Sequence, residues 1–309
     1  MRQHENFPVA SILLRKSVRK QVLAIYRLAR LADDLADEPG LEHPIRIACL
    51  GELLRGIEAS ADPEIPGQGS VLAAQGLGEL AHRVLAQWRQ AVGTNPLVVR
   101  EMRLMLAAFH WDARGFEPLD WEQFDRYGRG SAASVGRMLL ALHNCHQDAT
   151  VAASDGICLA LQRINMLQDV ARDAARNRVY MPCRVLHAWG LSRDLWLKRC
   201  LEGSLGAELA HKLGAEARAQ GERLRLHQDL VARLPLRLGL ELRAILAGGY
   251  NIVRQLEAKP DTAASRPALD RRLSWRFRLR LLGDLIFGLP AGSASSSLTA
   301  PVQDHRSPP

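Results

Sequence analysis

Apolar side chains recur three and four positions apart along most of the chain, clearly so from Val18 to Leu35, and this spacing predicts amphipathic helices that bury one stripe. Polar residues alternating with Val, Ile, Thr and Tyr are nearly absent, so almost no sheet is expected. Leu, Ala and Arg, which lose little rotamer freedom in a helix, dominate instead. The breaks in the pattern agree with this. Pro44 and Pro96 suit first-turn positions, and Asp120-Trp121-Glu122-Gln123 has the spacing of a capping box. Ser192 and Ser204 are further candidate caps. Loops carrying Pro or Gly are expected at 61–69, 114–119, 182–191 and 259–268. Roughly eight to ten helices fit between such breaks.

No composition shift precedes residue 259 and no solenoid-length repeat occurs, which predicts one all-α, bundle-like domain over residues 1–288. After Leu289 the chain turns to Pro, Ala, Gly and Ser. Too little apolar surface remains there to offset ordering entropy, so 289–309 is expected to be a disordered tail. With 309 residues and 47% hydrophobic content, a sizeable core can form. No stretch reaches the roughly 18 apolar residues of a spanning helix. The first residues, broken by Pro8, do not make a secretory signal. A soluble protein is therefore expected, with contact at a membrane surface left open. Lys and Arg (41) outnumber Asp and Glu (33), giving a net charge of +8 that favours an anionic partner without choosing among nucleic acid, phosphates and acidic lipid. The five scattered cysteines lack a CxxC pair or zinc-like spacing, which fits a reduced, cytoplasmic protein.

The candidate chemistry lies in two acidic clusters. In Ala32-Asp33-Asp34-Leu35-Ala36-Asp37-Glu38, Asp33 and Asp37 stand one helical turn apart on one face. Like charges at that spacing cost about 0.2–0.5 kcal/mol, so helix stability does not explain them, whereas a cation between them does. Mg²⁺ takes hard oxygen ligands, keeps waters, and is held by one or two carboxylates plus substrate phosphates. The alternative is a solvated acidic helix end. The second cluster, Asn165-Met166-Leu167-Gln168-Asp169-Val170-Ala171-Arg172-Asp173, repeats the pair at i and i+4 and places Asn165 one turn earlier. Apolar neighbours from Cys158 to Val170 make it read as a core helix turning carboxamides and carboxylates inward, which is costly unless a metal or hydrogen bonds satisfy them. Two such pairs on separate helices can face each other around a diphosphate. Downstream, Arg176, Arg178 and Tyr180 precede Pro182, which is expected to end the helix and leave donors beside the pair. Cations stabilising a helix C-terminus are the alternative account.

At these residues the chain resembles the squalene and phytoene synthase family, the trans head-to-head prenyl synthases. The likeness runs through Tyr26-Arg27-Leu28-Ala29-Arg30-Leu31-Ala32-Asp33-Asp34-Leu35-Ala36-Asp37 and again from Asn165 to Asp173 and on through Arg178-Val179-Tyr180-Met181-Pro182. Glu5–Ser11, Gly248–Ala258 and Arg266–Leu269 resemble the hydroxysqualene synthase branch of bacterial hopanoid synthesis, so the similarity covers residues 5 to 283. The departures are Gly128 where Cys is usual, Ala133-Ser134 where this branch tends to have Asn-Pro, Arg15 where Pro often follows paired leucines, and Arg163 in a usually apolar stretch.

The resemblance implies an isoprenoid-synthase bundle with a central cavity. It further implies that Asp33, Asp37, Asp169 and Asp173 hold Mg²⁺ against the diphosphate of presqualene diphosphate, with Arg30, Arg178, Tyr180 and Gln168 as further diphosphate contacts. Tyr127 and Asn165 are then the candidates for positioning the water that gives hydroxysqualene, and a packed tyrosine with a satisfied hydroxyl is the alternative for Tyr127. No GxGxxG loop follows a strand, in keeping with a reaction that needs no nicotinamide. The arginine-rich stretch 271–282 reads as an interfacial helix or as a terminal helix with snorkelling arginines. No nucleic-acid fold signature accompanies it. Partners would be the isoprenoid diphosphate and, by the same likeness, other enzymes of squalene and hopanoid synthesis. Two further readings stay open: a sister synthase condensing two prenyl diphosphates to presqualene diphosphate or phytoene, and a non-catalytic assembly protein that keeps the fold but should have lost its aspartates.

Overall fold

The run that begins at Val18 forms the first helix, α1 (Lys16–Asp37), and it ends on the acidic cluster. In a computed structural model of the chain, the residues described are 16–37, 40–59, 69–203 and 205–258. The side chains of Lys16, Ser17 and Asp37 are outside that description. So are Ser204, the loops at 61–68 and 259–268, the stretch 271–282, the tail 289–309 and the segments Glu5–Ser11 and Arg266–Leu269.

Helices α2 (His43–Glu58), α3 (Val71–Ala74), α4 (Gly78–Val92) and α5 (Pro96–Ala113) follow, then α6 (Trp121–Gly128), a single π turn (Arg129–Ala133) and α7 (Ser134–Leu142). The chain continues through α8 (Asp148–Gln168), α9 (Val170–Ala174), α10 (Cys183–Ala188), α11 (Arg193–Glu202), α12 (Gly206–His227), α13 (Leu230–Arg233) and α14 (Leu236–Ala258). Among the described residues there is no strand, and ten of the α-helices have eight residues or more, which agrees with the periodicity. The expected loop at 182–191 is a correction: it contains α10, a short helix that starts directly after Pro182. Among the described residues no helix is long and apolar enough to cross a membrane.

Local chemistry accounts for the starts. Pro44 lies in the first turn of α2 and Pro96 opens α5, where Asn95 accepts from the amides of Leu97 and Val98. Ser192 caps α11 by accepting from Leu195. Asp120 caps α6 through the amide of Gln123 at 3.0 Å, but the reciprocal half of the box is displaced: Gln123 accepts from Leu119, one residue before the cap.

Two apolar clusters organise the bundle. One gathers α1, α2, α4 and α5 around Leu28, Leu50, Trp88 and Met102; the other gathers α8, α11, α12 and α14 around Ile157, Trp196, Leu224 and Ile252. Full burial of each such side chain stabilises by roughly 1.5–3 kcal/mol. Between the clusters, α7 packs on both α5 and α8. Gly136 makes that approach feasible, because a Cβ there would sit 2.4 Å from Ser154 Oγ and 2.9 Å from Cys158 Sγ. Buried charge lies on the same seam. Glu101, fully buried on α5, faces Arg137 of α7 at 3.6 Å, and Arg137 closes on Asp155 of α8 at 2.5 Å.

Arg163, one of the departures from the family pattern, is explained by its surroundings. It is 8% exposed, donates to Asp125 at 2.8 and 3.1 Å, and lies 4.3 Å over the Trp121 ring. A cysteine at Gly128 would place its Cβ 2.7 Å from a methyl of Leu159, so that side chain would have to shift.

Candidate active site

The first acidic segment closes α1 and the second spans the junction of α8 and α9. Asp33 and Asp34 project from the penultimate turn of α1, where the Arg30 guanidinium bridges them, at 3.2 Å to Asp33 and 2.5 Å to Asp34. Asp34 is the more exposed of the two, at 55% against 42%, and it borders an open cleft of about 420 Å³ between α1 and α4 that Arg27, Arg30 and Arg83 also line. Asp37 occupies the last position of α1, but its side chain is outside the described set.

The second segment is not one uninterrupted helix. α8 ends at Gln168, Asp169 departs from helical geometry (φ −102°, ψ 11°), and α9 resumes at Val170. The one-turn spacing survives the break, because Asp169 N–H donates to Asn165 C=O and Asp173 N–H to Asp169 C=O, both at 2.9 Å. Asp169 meets Arg172 at 3.6 Å. Gln168 is buried and Asn165 half-buried. The helix was expected to run to Pro182. Instead α9 stops at Ala174, and Asn177 turns the chain with φ 56°, a conformation asparagine tolerates better than most residues. That turn frees Arg178 and Tyr180 from the helix and sends them back across the seam.

Arg178 joins the two halves. One of its amino groups donates to the Ala36 carbonyl, in the last turn of α1, at 3.3 Å, and the other lies 3.4 Å from the Tyr180 hydroxyl. Arg46 of α2 also donates to Ala36 C=O, at 3.3 Å. The segment carrying Asp169 and Asp173 is thereby tied to the turn that carries Asp33 and Asp37.

Burial, and then the charge of Asp169, push the Asp173 carboxyl up to about 7, against the opposing pull of Arg178, Arg172 and Arg176. A carboxylate pair one turn apart, made only of hard oxygens and with one member buried, fits a divalent cation such as Mg²⁺. No three His, Cys, Asp or Glu side chains among the described residues stand close enough to form a ready-made cage.

The raised value has a thermodynamic consequence that can be checked without ligand. Between about pH 4 and pH 7 the folded chain holds a proton on Asp173 that the unfolded chain has released, so stability falls as pH rises through that window. The slope is at most about 1.4 kcal/mol per pH unit. Urea unfolding in EDTA should therefore show a steeper loss for the wild type than for Asp173→Asn across this range. Parallel curves would contradict the assignment.

One group at the seam went unnoticed in the sequence. Asp112, in the last turn of α5 and 8% exposed, accepts from the Tyr127 hydroxyl at 2.7 Å and from the Tyr180 hydroxyl at 2.8 Å. Tyr127 also stacks on Phe116 at 4.9 Å and on Tyr180 at 6.0 Å. Burial first, and then the Asp112 charge, raise both phenols well above their ordinary pKa. A signal was present: Asp112 follows Met105 by seven residues and Phe109 by three, which puts a carboxylate on the buried stripe of α5.

Comparison with known proteins bears on the family and the fold. A family model described as squalene/phytoene synthase matches residues 1–279. A hydroxysqualene synthase of Rhodopseudomonas palustris is 34% identical over 265 residues, which span 82% of this chain and 80% of that one. Among solved structures, a squalene synthase from Alicyclobacillus acidocaldarius superposes with a TM-score of 0.61 at 24% identity, covering 83% of this chain and 89% of that one. A dehydrosqualene synthase in complex with a ligand gives a TM-score of 0.70 at 20% identity, covering 91% and 90%. These two likenesses bear on the fold, which is all-α.

Proposed function

The chain belongs to the squalene/phytoene synthase family, enzymes acting on prenyl diphosphates, and from that premise we propose that it ionises presqualene diphosphate and captures the rearranged cation with water to give hydroxysqualene. One observation carries the reading: the bond from Arg178 to the Ala36 carbonyl, which draws the two acidic segments together at the seam.

In this proposal Asp33, Asp37, Asp169 and Asp173 hold Mg²⁺, which when bound neutralises charge on the departing diphosphate. Arg178 would face that group, since a guanidinium suits phosphate oxygens, and Tyr180, accepting from Arg178 at 3.4 Å, would help to hold it there. Arg30 sits between Asp33 and Asp34 and orients Asp33, and it can turn to the diphosphate as well. Gln168, buried at the end of α8, is a further contact. When the carbon–oxygen bond breaks, the electron pair leaves with the diphosphate, and apolar helix faces keep bulk water from the cation while it rearranges. One water then adds through oxygen and passes a proton to the released diphosphate. Tyr127 and Asn165 are assigned to orient it.

The 34% identity to a hydroxysqualene synthase favours this product over the condensation of two prenyl diphosphates. Purified protein given Mg²⁺ and presqualene diphosphate, without reductant, should release inorganic diphosphate and a triterpene alcohol. Turnover of farnesyl diphosphate alone, with no alcohol from presqualene diphosphate, would overturn the proposal in favour of the condensing activity.

A further inference from the structure

We propose that Asp112 is a positioning residue, which takes the phenolic protons of both Tyr127 and Tyr180 and so fixes their oxygens as hydrogen-bond acceptors toward everything else at the site. The inference deepens the reading above and rests on it.

A phenol carries a single proton, and once that proton is committed its oxygen offers only lone pairs. Each oxygen of Asp112 receives one phenol, at 2.7 and 2.8 Å, so both tyrosines are committed at once. Tyr180 already behaves accordingly: Arg178, which can only donate, is its other neighbour, at 3.4 Å. By the same count Tyr127 can only accept, from the Ser131 hydroxyl beside it and, with its remaining lone pair, from a water. A water that donates a hydrogen to Tyr127 keeps both lone pairs for a carbocation and gains electron density at oxygen, whereas a water that accepted from the phenol would have one of its two lone pairs engaged and be the poorer nucleophile.

The surroundings hold this polarity in place. Tyr127 is 5% exposed and its ring is stacked between Phe116 and Tyr180, so neither phenol swings freely. The three partners come from different elements, Asp112 from α5, Tyr127 from α6 and Tyr180 from the segment after α9, so the network also fixes how those elements meet. Both hydroxyls keep their protons at neutral pH, since burial and the Asp112 charge act in the same direction on each.

Asp112→Asn is the discriminating change. It keeps the shape but replaces one acceptor oxygen with a donor, so one phenol must redirect its proton. With presqualene diphosphate and Mg²⁺, this variant should lose about tenfold in alcohol formed per diphosphate released. It should lose little more when added to Tyr127→Phe, because the two changes remove the same coupling. Asp112→Glu, which restores two acceptor oxygens, should recover part of the alcohol share. An unchanged alcohol share, or losses that simply add in the double variant, would overturn the inference, and thermal unfolding of each variant separates either result from a folding defect. A second readout needs no substrate. Tyrosinate absorbance should show two of the four tyrosines ionising at lower pH in Asp112→Asn than in the wild type. An identical titration curve counts against the coupling, even if the wild type makes no alcohol and the proposed substrate is thereby wrong.

Discussion

Asp169→Asn and Asp173→Asn should each lower diphosphate release by about a hundred- to a thousandfold, the scale seen when one group facing developing charge is removed from an active site. Asp33→Asn belongs with them. Asp34→Asn should stay within about threefold, because an exposed helical ion pair contributes little. The contrast matters more than any single value, since Asp33 and Asp34 are adjacent in sequence and share Arg30. Asp33 has the same i, i+4 spacing to Asp37 that Asp169 has to Asp173, while Asp34 faces the open cleft against α4. Asp173→Asn carries a second signature. Removing a carboxyl whose pKa is raised to about 7 should make the metal-free protein more stable at neutral pH while it disables turnover, the usual trade between stability and activity at a site built for charge. Steady-state diphosphate release and urea unfolding on the same preparations measure both. Equal and mild losses in all four variants would contradict the metal assignment.

Asp125→Ala should be the most damaging change away from the site. Arg163 is 8% exposed and donates two hydrogen bonds to this carboxylate, and Arg223 lies 3.7 Å from it as well. Removing one partner of a buried pair costs roughly 3–5 kcal/mol, because the remaining charge stays desolvated. Asp125 keeps some solvent contact, at 18% side-chain exposure, so the lower end of that range is expected. A double change, Asp125→Ala with Arg163→Leu, should recover much of the loss by restoring the apolar residue type of the surrounding stretch. Thermal and urea unfolding of the single and double variants give the comparison, and a single variant as stable as the wild type would mean that the pair carries no net stability.

The fold was readable wherever a local pattern decided it. Spacing of apolar residues marks α1 from Val18 onward, and Pro96, Asp120 and Ser192 mark helix starts that the structure retains. Reading failed where a local rule yielded to packing. Pro182 looked like the end of a helix, but α9 had already stopped at Ala174 and turned at Asn177, which is what delivers Arg178 and Tyr180 to the seam. The break at Asp169 was hidden for the same reason, since the i to i+4 hydrogen bonds on either side of it persist and only one residue leaves helical geometry. Asp112 escaped attention because its partners lie 15 and 68 residues away, and no local spacing reports a contact of that kind. Arg163 departs from a usually apolar stretch, and the partner that accounts for it, Asp125, lies 38 residues earlier, beyond the reach of any local pattern.

The whole account depends on the two acidic segments serving a single cation and diphosphate site. Crystals grown with Mn²⁺ and a non-hydrolysable prenyl thiodiphosphate, with the ion located by its anomalous scattering, test that dependence directly. Divalent ions should appear between α1 and α9, bridging diphosphate oxygens to carboxylates of Asp33 or Asp37 and of Asp169 or Asp173 at about 2.1–2.2 Å, near Mg²⁺ distances. Ions bound to one segment alone, or a diphosphate seated away from Arg178, would contradict it.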